Sequence, residues 1–126
     1  MMQVLQMKPM ENVSVDQDRL GALYSQLGPV GAEDVVCRAL EELGMRLSQC
    51  STLFHENDRA GLRKNTRSLI AIADQIGMHA LSRVAADVTN CIDHGNTVSV
   101  AATLSRLIRI GERSLTAVWD IQDITI

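Results

Sequence analysis

Aromatic residues are nearly absent from this chain: Tyr24, Phe54 and Trp119 are the only ones in 126 residues. That scarcity argues against the stacking platforms on which single-stranded nucleic acids are held. It also leaves Leu, Ile, Val, Ala and Met to build a core. Proline is equally scarce, with Pro9 and Pro29 alone, so most of the chain lacks the strongest helix breaker. No apolar run approaches the roughly 18 residues of a spanning helix, and we expect no membrane partner. The opening "MMQVLQMKPMENVSV" has one cation, Lys8, and no long apolar stretch of the kind a secretory signal needs. Positive charge is not in excess either. A net charge of −3 and an isoelectric point near 5.5 argue against the phosphate neutralisation on which general nucleic-acid binding depends. The three cysteines, Cys37, Cys50 and Cys91, are scattered and odd in number. They fit unpaired thiols in a reducing compartment, so a cytoplasmic location is expected.

What is present is a 46% hydrophobic fraction in a chain long enough for one domain. We read residues 1–13 as a loosely ordered leader and 14–126 as the domain. Periodicity and punctuation predict five helical segments. The first covers 15–27, with Ser14 and Gln17 as a capping box, Leu20, Leu23, Tyr24 and Leu27 on one face, and Gly28-Pro29 as its stop. The second covers 32–55, with Val36, Leu40, Leu43, Leu47, Cys50 and Phe54 at alternating spacings of four and three. A third, over 59–76, is capped by Asn57 or Asp58 and turns Leu62, Thr66, Leu69, Ala73 and Ile76 inward before Gly77. A fourth, over 79–94, presents Leu81, Val84, Val88 and Cys91 before Gly95. The last is capped by Asn96 and carries Ala101, Leu104, Ile108, Leu115 and Val118 inward. No period-two segment precedes a hairpin turn. The fold class expected is all-α: an up-and-down antiparallel four-helix bundle with a short extra N-terminal helix across one end.

Among groups that carry chemistry, a basic stripe comes first. Arg59, Arg63 and Arg67 recur at i, i+4 and i+8 on the third helix with Lys64 alongside, and no carboxylate interrupts the segment before Asp74. Such a stripe is either a solvated outer face or a docking surface for an acidic partner, since the planar guanidinium fork suits carboxylates. His55 and His94 fall at helix C-termini, where caps facing the negative dipole end account for them. Cys91 and His94 are one turn apart, with Asp87 nearby, but two ligands from one turn make a weak metal signal. Ser68 and Ser82 have no evident base, and no glycine-rich phosphate loop is present. We therefore expect no cofactor, no metal and no enzymatic activity.

The run Thr66-Arg67-Ser68-Leu69-Ile70-Ala71, with Gly77 ten residues after Arg67 and Leu81 beyond it, resembles the histidine-containing phosphotransfer (HPt) family. The preceding "LGPVGAEDVVCRALEELGMRL" also looks like that family's first connection and second helix, so the similarity covers about residues 14–118. The resemblance implies a helical bundle that relays phosphoryl groups to the receiver domains of response regulators. It also places Arg67 where the family has its phosphoacceptor histidine. Arginine offers no nucleophile at any accessible pH. The family's lysine three residues on, which would steady the phosphoryl oxygens, is here Ile70, and its glycine four on is here Ala71. The resemblance thus implies a phosphorylation-incompetent module that binds a receiver domain or sensor kinase as adaptor or competitor. Its partner-binding residues would be Arg59, Arg63, Lys64, Arg67, Ile70 and Ala71. Two alternatives stay open. One is a structural or homodimerising bundle using an apolar patch around Ile70 and Ala71. The other is an active relay protein using His79.

Overall fold

A computed structural model of the chain describes residues 15–125, with side chains through residue 118. The leader over residues 1–13 and a cap at Ser14 lie outside the described residues. The described residues form four helices and no strand: α1 (Gln17–His55), α2 (Arg59–Gln75), α3 (His79–Asp93) and α4 (Thr97–Thr125). The two segments expected over 15–27 and 32–55 are merged in α1. Gly28 breaks the backbone between them, at φ 75° and ψ 169°, a region almost reserved for glycine. Helix resumes at once on Pro29, because its fixed φ and missing N–H suit a first helical turn. The stop at Gly28-Pro29 is therefore a kink one residue long.

Short polar side chains cap the starts of α1, α2 and α4, whereas Met78 precedes α3 with no side-chain cap. Asp16 caps α1 by accepting from the Arg19 N–H at 3.1 Å. Asp58 accepts from the Gly61 N–H at 2.8 Å at the start of α2, while Asn57 takes up the left-handed turn at φ 58°. Asn96 accepts from the Ser99 N–H at 3.0 Å at the start of α4. Gly77 follows α2 at φ 80°, and there a Cβ would lie 2.9 Å from that of Asp16. Glycine at this position both makes the turn and lets residue 16 approach, so that the Asp16 N–H donates to Gly77 O at 2.9 Å.

Helix α1 packs on α2 and α4, α2 on α3, and α3 on α4. All four contribute to one aliphatic cluster, centred on fully enclosed side chains such as Leu43, Leu62, Leu69, Leu81, Leu107 and Ile110. The inward face expected for α2 is observed: Leu62, Thr66, Leu69, Ala73 and Ile76 are all buried. Elsewhere the faces shift. Leu20 and Leu23 are buried, but Tyr24 and Leu27, expected beside them, are exposed; they fall in the last turn before the kink, where α1 changes course. On α3, Ile92 is buried and Cys91 only half-buried. On α4, Val100, Leu107, Ile110 and Ser114 point inward with Leu104 and Val118, whereas Ala101, Ile108 and Leu115 lie half-buried on the flank. In a helix this rich in aliphatics, several stripes are apolar, and the neighbours select one.

Candidate functional site

Because α2 commits Leu62, Thr66, Leu69 and Ala73 to the core, the opposite side of the same helix must face out. That side carries Ala60, Lys64, Arg67 and Ala71, all exposed, with Arg63 and Ser68 half-buried at its edge. Together these six residues line a shallow depression open to solvent. Three of them have small side chains, so the floor is low and the long cations stand above it.

The basic stripe divides once its neighbours are in place. Arg59 Nη2 donates to the Thr97 hydroxyl at the start of α4. Arg63 grips Asp93 with two donors, Nε to Oδ1 at 2.6 Å and Nη2 to Oδ2 at 3.2 Å. The hydrogen bonding and charge of Asp93 push the Arg63 guanidinium above its ordinary pKa, and Arg63 in turn holds the Asp93 carboxyl below the usual range. Lys64 and Arg67 are different. Neither side chain makes a hydrogen bond or an ion pair among the described residues, and Arg67 contributes only a through-space attraction to Asp93. Two of the four cations are thus spent inside the fold, and two face solvent on the depression. Ile70 does not lie on this floor: it is half-buried and packed against the core cluster. Ala71 is exposed, as the docking reading needs.

A second polar cluster lies where three segments meet. His79, the first residue of α3, approaches two carboxylates: Nε2 is 2.9 Å from Asp16 Oδ2 and Nδ1 is 3.4 Å from Asp74 Oδ1. Arg19 Nε donates to Gln75 O at 2.9 Å beside it. Hydrogen bonding to Asp16 and then Asp74 raises the His79 pKa, and the bond to His79 lowers that of Asp16. The other two histidines act as helix-end caps, with Nδ1 of His55 2.7 Å from Ser51 O and Nδ1 of His94 2.6 Å from Asn90 O. Among the described residues, no three of His, Cys, Asp and Glu converge as a metal site.

Sequence spacing missed both pairings that shape these clusters. Asp93 is 30 residues from Arg63 and Asp16 is 63 from His79; no helical period links them, and only the packing of α2 on α3 and of the N-terminal turn on Gly77 brings them together.

Comparison with known proteins brings no relative to bear on the site: no family model, curated protein or solved structure matches the chain.

Proposed function

We propose that this chain is an HPt-like signalling module that binds the receiver domain of a response regulator without exchanging phosphate, as an adaptor or competitor. In this reading residues 14–126 are one domain in the cytoplasm, an up-and-down four-helix bundle crossed at one end by the short helical stretch before Gly28. The observation that carries it is Arg67. At the position matching the family's reactive histidine stands a guanidinium that is exposed, unpaired by any carboxylate bond within the described residues, and set on a low floor of Ala60, Ser68 and Ala71. A receiver's active site is a cluster of aspartates, and a projecting fork can bridge carboxylates there with no transferable bond.

The alternatives find less support. Ile70, the apolar residue on which self-association depends, is largely absorbed by the core. A relay through His79 needs an imidazole nitrogen with a free lone pair, whereas both ring nitrogens face carboxylate oxygens.

Capture of the host's receiver domains on immobilised protein tests the proposal. Wild type should retain at least one receiver and Arg67→Glu none, with unchanged far-ultraviolet circular dichroism. Equal capture by both proteins, or failure of wild type to hold any receiver, overturns it.

A further inference from the structure

We infer that the depression around Arg67 and Lys64 reads the phosphorylation state of its partner, binding the phosphorylated receiver in preference to the bare one. The inference rests on the proposed receiver-binding function and adds the charge state that the site selects. Its ground is the division of cations. Arg63 is already bonded to Asp93, which offsets its charge, and Arg59 is bonded to the Thr97 hydroxyl at the start of α4. Lys64 and Arg67 have no such bonds to break. They lie three residues apart on one helix, which places them on neighbouring turns of one face. The site therefore offers two formal positive charges in a small area of a chain whose net charge is −3.

A phosphoryl group matches that pair better than a carboxylate does. It brings roughly two negative charges and three acceptor oxygens, against one charge and two oxygens for a carboxylate. Arg67 can engage two of its oxygens with the guanidinium fork, and Lys64 can reach a third as a point charge. The floor of Ala60, Ser68 and Ala71 carries no branched or acidic side chain to hold an anion away. The Ser68 hydroxyl is already turned to Lys64 O at 3.2 Å, so the cations supply the recognition. No bond is made or broken in this complex, because neither cation is a nucleophile toward phosphorus in its charged form. The acyl phosphate stays on the receiver.

The test uses each host receiver domain in two forms, with Mg2+ alone and with Mg2+ plus beryllofluoride, a stable mimic of the phosphoryl group. Affinities for the full chain are measured by titration calorimetry. Wild type should bind the beryllofluoride form at least about ten-fold more tightly, the scale of one added charge-assisted contact. Arg67→Ala should erase the difference, and Lys64→Ala should reduce it. Arg67→Lys should retain part of it, since charge survives without the fork. If wild type binds both forms equally, this inference is overturned while the receiver-binding function stands. Binding to neither form of any receiver overturns both. A preference that survives in Arg67→Ala also overturns the inference, because recognition then lies elsewhere on the surface.

Discussion

Asn65 and Thr66 are adjacent polar residues on α2, both buried, and they do different work. Asn65 Nδ2 donates to Arg46 O at 2.7 Å and approaches Cys50 Sγ at 3.2 Å, while its Oδ1 accepts from Arg46 Nη1 at 3.1 Å. Arg46 in turn donates to Glu42 at 2.8 Å. The amide thus locks α2 to α1, and its removal strips partners from half-buried Arg46 and from the enclosed Cys50 thiol. The Thr66 hydroxyl, 2.8 Å from that of Thr89, also reaches Arg63 O at 3.1 Å, but Thr89 keeps its own acceptor, Ala85 O at 2.9 Å. We therefore expect Asn65→Ala to cost about 1–3 kcal/mol and the near-isosteric Thr66→Val about 1 kcal/mol or less. Urea titration monitored by circular dichroism checks the order, and a reversed order would deny the amide its role between the helices. Thr66 was legible as an inward position from the spacing of Leu62, Leu69 and Ala73. Asn65 was not: helical period alone gives a polar residue at the edge of a buried face no partner, and its partners come from another helix.

At the scale of elements, the joint between the start of α1 and the turn from α2 to α3 depends on a titrating group. Both nitrogens of His79 face carboxylate oxygens, and only the imidazolium can donate to both at once. The His79 pKa is raised above 6.5 by Asp16 and Asp74, and that of Asp16 is lowered below 3.8. For a raised histidine, the added stability is fully present below the unfolded-state value and fades as pH climbs through the folded-state value. For a lowered aspartate, it is present above the unfolded-state value and fades as pH falls through the folded one. The joint is therefore strongest in the mildly acidic window between about 4.5 and 6, and it loosens toward neutral and alkaline pH. His79 is half exposed, so solvent screens the effect and a modest dependence is expected. Amide exchange of residues 17–27, corrected for intrinsic rates, should become less protected as pH rises from 6 to 8. His79→Gln should flatten that trend. Identical pH dependence in the variant would assign the change to other groups. This joint was hidden in the sequence: His79 reads as a helix start, and nothing local announces that Asp16 will fold back over Gly77. The caps at Asp58 and Asn96, by contrast, were legible because capping is a contact within one turn.

For the molecule as a whole, one apolar cluster drawn from all four helices implies one cooperative unit, and the three thiols provide a measure of it. Cys37 is exposed, Cys91 half-buried and Cys50 wholly enclosed between α1 and α2. Burial pushes the Cys50 thiol above its ordinary pKa, outweighing the opposing effects of Asn65 and Arg46. Reaction requires thiolate in contact with reagent, so burial both disfavours the Cys50 thiolate and leaves it the least access of the three. That four helices would surround an aliphatic core was legible from the composition and from the regular apolar spacing of Val36 to Phe54 in the part of α1 after its kink. Which cysteine would be sealed was legible only in part, since the expected face of α3 named Cys91 where Ile92 is the buried residue. With an aromatic disulfide reagent, Cys37 should react first and Cys91 next. Cys50 should wait for global unfolding. Its labelling rate in rising urea should follow the unfolded fraction seen by circular dichroism, as cooperative opening requires. Asn65→Ala should accelerate Cys50 by the same factor by which it shifts the unfolding equilibrium, leaving Cys37 unchanged. Labelling of Cys50 well below the unfolding transition would mean that α1 and α2 part locally, and the single cooperative core would then have to be divided.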